Sequence, residues 1–524
     1  MKRFVFFCFF LVHIWSVVAQ DGIPLASFEN IPDSAQLRKG IASLWLLGDP
    51  SFVEQLKMAE YTDGTGKRFM VESRRIQDIL EVQISPYDTT FYYATTEDTS
   101  TQKSPVSSLE VPPTTGTQNA PPYTELSNTT SDITGDKTAE EANTATQLTQ
   151  TVAPIDSVRT VPQGTWILRR NAESGKPISI TIYLRESSDL FIVLRPSEIE
   201  RFKDKSVIDF CLFQAYVRRD IPISFSFESL YYTSLNELKA KTAQQLPWYI
   251  FDPPQQYSTV EATSKALAKR LDTLVYLEDG AFDENGKPCY IETGMPQTKE
   301  EILNAANAAD IAIGTKIKGG VNCAGFVKWI IDGIIKPIAG SGTYINSLKR
   351  PTDIPETDFN AAYLEKRDLF FGLDWIRNLA AARLSLTMKK TVYPQSAGID
   401  VTVEPFSFSL PVRSHGFTQK KFAGYFKSVG YQVEYLQALL YYLAITEPGH
   451  FYLASVSGET GTPSLRQHSH VVAIFPYFDM LGTFKVDIYE NAQATPLEDF
   501  IQKNKDAFIA LVRVKSPEVG RFSP

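Results

Sequence analysis

The residue types best suited to chemistry are one cysteine and a few histidines with a carboxylate nearby. Cys323 follows Gly319-Gly320-Val321-Asn322 and leads into an apolar segment, Phe326, Val327, Trp329, Ile330, Ile331, Ile334 and Ile335, ahead of Pro337. That spacing predicts a buried helix stopped by Pro337, with Cys323 on its first turn. Unpaired N–H groups and the helix dipole at such a position favour the thiolate, which is the nucleophilic form of cysteine. The competing reading is a small residue that simply packs well.

A cysteine nucleophile needs a base within hydrogen-bond reach and a group that orients the base. Beyond the first twenty residues the histidines are His415, His450, His468 and His470. Strand alternation places His468 and His470 on one face. His470 begins the apolar run Val471-Val472-Ala473-Ile474-Phe475 and is favoured as base, with His468 as backup. In the following run, Phe484 to Glu490, alternation sets Val486, Ile488 and Glu490 on one face, with Asn491 at the strand end. Either Glu490 or Asn491 could orient the imidazole, and parity favours Glu490. The Cys323 N–H at the helix start is the expected oxyanion donor.

Other readings of the same residues carry less. His468-x-His470 could chelate zinc with Glu490 or His415, but no third ligand has a telling spacing, so no metal and no cofactor is expected. Trp329, Trp375 and Tyr441-Tyr442 lie on apolar helical faces and read as core, His450 as a strand-edge residue and His415 as a loop residue. Gly314 to Gly320 lacks a nucleotide-binding spacing.

These residues need elements to position them. The chain has 524 residues, with an apolar share of 43%, enough for two or three domains with real cores. Lys+Arg 52 against Asp+Glu 60 gives a net charge of -8 without a basic stripe, which argues against a nucleic-acid partner. Met1-Lys2-Arg3, the apolar run Phe4–Val18 and Val17-Val18-Ala19 read as a signal peptide, residues 1–19, removed on export to a periplasmic or secreted location. No stable membrane span is expected after its removal. Cys211, Cys289 and Cys323 then remain, and a Cys211–Cys289 bridge would leave Cys323 free.

Residues 20–86 form a small α/β segment, with helices at Leu37–Leu47 and Val53–Ala59 and strands at Arg68–Val71 and Leu80–Ile84. Residues 87–159 are rich in Ser, Thr and Pro, carry the glycosylation-type triplet Asn128-Thr129-Thr130, and read as a disordered linker. Residues 160–245 predict a small β-domain, with strands at Trp166–Arg169, Ile178–Leu184, Leu190–Leu194, Phe210–Val217 and Ile223–Phe227. Residues 246–524 predict the domain that holds Cys323. Its helical stretches are Val260–Leu277, Lys299–Ala312, Phe359–Leu386 and Lys420–Ile445, with a strand at Ile399–Leu410. Four strands, Phe451–Val456, His470–Phe475, Phe484–Glu490 and Phe508–Val514, should form an antiparallel meander on the cysteine helix, an α+β arrangement.

Asn322-Cys323-Ala324-Gly325-Phe326-Val327 resembles the Asp-Cys-Ser-Gly-Phe-Val signature of NlpC-type cell-wall cysteine peptidases. Glu447-Pro448-Gly449-His450 resembles that family's Pro-Gly-Asp strand opening, and His470-Val471-Val472-Ala473-Ile474 its His-Val-Gly-Ile strand. Phe484 to Asn491 is closer to the related CHAP amidases, whose third polar group is a Glu or Asn on that strand. Asn322, Ala324 and His450 stand where the family has Asp, Ser and Asp, and the long Cys323-to-His470 interval implies an insertion. The resemblance covers roughly 300–515. It implies a papain-like (NlpC/CHAP-type) fold, with Cys323, His470 and Glu490 or Asn491 as catalytic residues, and cleavage of amide bonds in peptidoglycan stem peptides by an endopeptidase or amidase. From a different class, a non-catalytic envelope binding protein with an inert papain-like part is the alternative.

Overall fold

Runs of β-branched and aromatic residues build two antiparallel sheets, of eight and six strands, joined by helices into an α+β structure. The computed structural model describes residues 31–47, 59–87, 161–353, 366–405 and 424–524, apart from 32, 63–65, 199–200, 202, 253–255, 310, 312–315 and 481. The expected signal peptide, residues 88–159 of the expected linker with Asn128, most of the expected Val53–Ala59 helix, and His415 lie outside the described residues.

The first sheet runs in chain order: β1 Ala59–Thr62, β2 Arg68–Ile76, β3 Ile79–Pro86, β4 Trp166–Asn171, β5 Pro177–Tyr183, β6 Leu190–Pro196, β7 Ser206–Leu212 and β8 Ala215–Ile223. Strand β3 pairs with β4 through Val82↔Leu168 and Ile84↔Trp166. The segments divided at 86 and 160 in the sequence reading therefore share one sheet, in which β3 and β4 are neighbours. Alternation puts Val82, Leu168, Ile180, Ile192 and Phe210 into the main core. Phe191, Val193, Cys211 and Tyr216 form a small cluster of their own. The helix Ala35–Leu47 adds Ile41 and Ala42 to the main core. Its fully buried Arg38 lies over the Trp166 ring at 3.3 Å and donates to the carbonyls of Leu230, Tyr231 and Thr233. Those acceptors offset the cost of burying a charge.

Where one strand was expected over Phe210–Val217, the chain makes a β7–β8 hairpin, with Phe213 and Gln214 both at positive φ. After β8, Trp248 and Phe251 pack against Phe210 at ring-centroid distances of 5.5 and 5.8 Å. The Tyr441 hydroxyl donates to the Ile250 carbonyl at 3.2 Å, tying the first sheet to the C-terminal half. One apolar core runs through both.

The helix expected over Val260–Leu277 is Ser258–Ala268. It ends because β9, Leu274–Tyr276, pairs in parallel with β12, Gly319–Val321. Between these, β10 Gly280–Phe282 and β11 Pro288–Tyr290 form a hairpin, and the helix Lys299–Ala308 starts with a Thr298/Glu301 capping box. The cysteine helix spans Cys323–Ala339 and contains Pro337 rather than stopping before it. Proline supplies no N–H to the carbonyl four residues back. That carbonyl, on Gly333, instead accepts the Ser523 N–H at 2.9 Å. Phe326, Val327, Ile330, Ile331 and Ile334 are fully buried, each contributing roughly 1.5–3 kcal/mol.

The tryptophan helix Phe371–Met388 follows. The helix expected from Lys420 narrows to Leu436–Thr446. Gly430, at φ 98°, lies against the backbone of Ile509, which a helical residue with a side chain could not do. Of the expected Ile399–Leu410 strand, the described part makes a single bridge, Asp400↔Val512.

The second sheet contains β13 Tyr431–Gln432, β14 His450–Thr460, β15 Leu465–Phe478, β16 Phe484–Glu490, β17 Gln493–Thr495 and β18 Phe508–Lys515, in the order β13-β18-β14-β15-β16-β17. The expected four-strand meander holds for β14 to β16. The fourth strand, β18, crosses back to pair with β14, because β17 and the helix Leu497–Lys503 carry the chain away from the β16 edge.

Candidate active site

Asn322 shapes the start of the cysteine helix. Its N–H donates to the Gly280 carbonyl at 2.9 Å, and its Oδ1 caps the helix by accepting the Gly325 N–H at 2.8 Å. Cys323 is the first helical residue. The buried Trp375 ring donates its Nε1–H to the Ala324 carbonyl at 2.9 Å and so fixes the first turn from the neighbouring helix.

The half-buried Cys323 thiol lies beside the His470 imidazole and near the backbone N–H groups of Val471 and Ala324, all of which favour its thiolate. Burial alone would raise its pKa, but these partners outweigh burial and bring it below the ordinary thiol value. Burial likewise disfavours the charged form of His470. Hydrogen bonds and charge from Cys323 and Glu490 win, raising His470 to about 9. His470 Nε2 lies 2.5 Å from Glu490 Oε2, which leaves Nδ1 for the sulfur. Glu490 resists its own burial through His470, Thr495 and Lys503 and falls to about 2. The arrangement favours a thiolate beside an imidazolium, and the two groups titrate as a pair.

His470, Cys323 and Glu490 are thus brought together. His468 is not. A bulge pairs His470 with Val456 and His468 with Ser457, so the two-residue alternation breaks between the histidines. His468 is 2% exposed, and its Nε2 lies 2.9 Å from the Ser428 carbonyl. A carbonyl only accepts, so Nε2 carries the proton and Nδ1 accepts from the Ser455 hydroxyl at 3.1 Å. Burial lowers His468 to about 4. It is a neutral structural imidazole, with partners separate from those of His470.

Asn491 does not orient His470. With Ala492 it forms the two-residue turn between β16 and β17, both at positive φ, the conformation of a type I′ hairpin turn. His450 opens β14 with Nδ1 3.2 Å from the Glu447 carbonyl. Trp329, Trp375 and Tyr441 are core residues. Cys211 in β7 and Cys289 in β11 are both buried free thiols, so the considered bridge is not formed. Among the described residues no three His, Cys, Asp or Glu side chains converge as a metal site. No described helix is long and apolar enough to cross a membrane.

A family model described as a domain of unknown function (DUF8515) matches residues 27–250. No curated protein and no solved structure matches the chain. The matched span covers both halves of the first sheet and ends before Cys323, so it bears on the β-rich half alone.

Sequence reasoning did not single out Trp375 as a partner of the cysteine helix, nor Thr495 and Lys503 beside Glu490. It also treated Asn322 as a departure from a motif, although an Asn directly before an apolar helical run is an N-cap signal. Thr495 carries no such signal, because its place depends on the turn at Asn491 and Ala492.

Proposed function

We propose that the chain is an exported cysteine hydrolase of papain-like type that cleaves amide bonds, with peptidoglycan stem peptides as its substrate class. One observation carries the reading: Cys323 opens a helix beside the His470 imidazole, which lowers the thiol's pKa, and His470 is itself paired with Glu490. The order of the site along the chain and the motif around Cys323 support the substrate class. The N-terminal apolar run supports export.

In this mechanism the Cys323 thiolate attacks the scissile carbonyl carbon, and its electron pair forms the C–S bond. The carbonyl electrons move onto oxygen. The Cys323 N–H, left without an intrahelical acceptor at the helix start, faces that oxyanion. Collapse breaks the C–N bond as the His470 imidazolium gives its proton to the departing amine, leaving a thioester on Cys323. Water then attacks the thioester while His470 takes its proton, and the acid leaves as the thiolate re-forms. Glu490 stays ionised throughout and holds the ring so that Nδ1 faces the sulfur.

Incubating purified wall sacculi with the full chain and with Cys323→Ala, followed by mass analysis of the released fragments, tests the proposal. New stem-peptide termini should appear with the unaltered chain only. Equal release from both would refute hydrolysis of this substrate and favour a non-catalytic envelope-binding role.

A further inference from the structure

Glu490 divides its two oxygens. Oε2 takes His470, whereas Oε1 accepts the Thr495 hydroxyl at 2.9 Å and lies 3.4 Å from the Lys503 ammonium. The backbone builds this second contact. Glu490 pairs with Gln493 across the Asn491-Ala492 turn, and Ile488 pairs with Thr495. Thr495 is therefore a diagonal cross-strand neighbour of Glu490 on the same face of the sheet. Pro496 then starts the helix Leu497–Lys503, whose last residue returns to the same carboxylate.

A carboxylate with one anchored oxygen can still swing about its last torsion, which is broad in glutamate. Anchoring the second oxygen stops the swing. We propose that Thr495 is a positioning residue for the cysteine–histidine pair: its hydroxyl locks the Glu490 carboxylate, and Glu490 in turn holds the His470 ring toward Cys323. Lys503 adds charge at the rim. Its side chain is 61% exposed, so solvent screens most of that contribution. The turn residue Asn491 enters only indirectly, by returning β17 so that Thr495 reaches Glu490.

This inference rests on the hydrolase reading, and its test separates the two. Thiolate formation at Cys323 can be titrated by ultraviolet absorbance and by the rate of alkylation, neither of which needs a substrate. Beyond the expected signal peptide, the other two thiols stay out of range, because burial raises Cys289 to about 11 and Cys211 well above the ordinary thiol value. Subtracting the trace of Cys323→Ala isolates the site. Thr495→Val keeps the shape and removes the donor. Its alkylation rate in mildly acidic buffer should fall about tenfold, the size of one hydrogen bond to a charged group. Thr495→Ala should fall equally, Thr495→Ser should keep the full rate, and Lys503→Met should change it by about twofold or less. A role confined to stability would lower the melting temperature of Thr495→Val and leave the titration midpoint in place. A depressed midpoint in the unaltered chain that Thr495→Val and Thr495→Ala do not move overturns the positioning role alone. An ordinary thiol midpoint in the unaltered chain overturns the hydrolase reading as well.

Discussion

Gly325 faces Gly280 so closely that a Cβ on Gly325 would be driven into the Gly280 carbonyl oxygen. The obstacle is backbone, and the same carbonyl already accepts the Asn322 N–H, so neither side can yield cheaply. The glycine two residues after Cys323 is therefore what lets the cysteine helix start against β10.

Gly325→Ala should accordingly cost about 1–3 kcal/mol or more, since overpacking against rigid neighbours is destabilising. It should also displace Cys323 from His470. Urea denaturation and thiol alkylation of the same preparation check both effects. Unchanged stability with unchanged alkylation would contradict the close approach.

A second prediction concerns the middle of the cysteine helix. Lys328 is fully buried, and its Nζ lies 2.5 Å from Asp332 Oδ2 one turn on. Asp332 Oδ1 also accepts the Thr343 N–H and hydroxyl. Asp332→Ala strands a buried ammonium and should lower unfolding free energy by about 3–5 kcal/mol. Adding Lys328→Met to Asp332→Ala should recover a large part of that loss. Denaturant titration of the single and double variants measures the difference, and no recovery in the double variant would contradict the pairing.

The coupled titration of Cys323 and His470 sets a third expectation. Because the thiol is held below its ordinary value, both alkylation and hydrolysis should already be substantial at neutral pH. The two should diverge on the alkaline side. Hydrolysis needs the imidazolium to protonate the leaving amine and should decline as His470 loses its proton near about 9. Alkylation needs only the thiolate and should not decline there. Parallel pH profiles check this, and a shared alkaline decline would contradict the assignment of His470 as acid.

Glu490 gives a fourth, with the opposite sign. Its carboxyl has a folded-state value of about 2 against an ordinary 4.5, so folding favours its ionised form. The resulting stability is fully present above about 4.5 and is lost as pH falls toward about 2. The stability advantage of the unaltered chain over Glu490→Gln should therefore shrink across that window. Unfolding free energies measured along it would contradict the account if the advantage stayed constant.

Much of the site was legible because its determinants are local. The apolar spacing behind Cys323 marks a helix, the run after His470 marks a strand, and two-residue parity leans toward Glu490 while leaving Asn491 open. Strand β16, Phe484–Glu490, has the bounds that alternation predicts. What was hidden depends on pairing between distant residues. The bulge that separates His468 from His470 is a relation between β15 and β14, and nothing in Gln467-His468-Ser469-His470 announces it. The hairpin at Phe213-Gln214 uses two positive-φ residues without the Gly or Asn that would signal such a turn. The pairing of β3 with β4 joins Ile84 to Trp166 across a long low-complexity stretch. Local pattern sees the strands there but not their partnership. Pro337 reads as a stop, yet Ser523 from the far C-terminal region satisfies the carbonyl it leaves open.

The most direct test of the central claim is the second-order rate of Cys323 alkylation by a thiol-directed electrophile at neutral pH, in the unaltered chain and in His470→Ala. The account predicts fast modification confined to Cys323, falling by about tenfold or more without the imidazole. A Cys323 rate equal to those of Cys211 and Cys289, or one indifferent to the loss of His470, would contradict it.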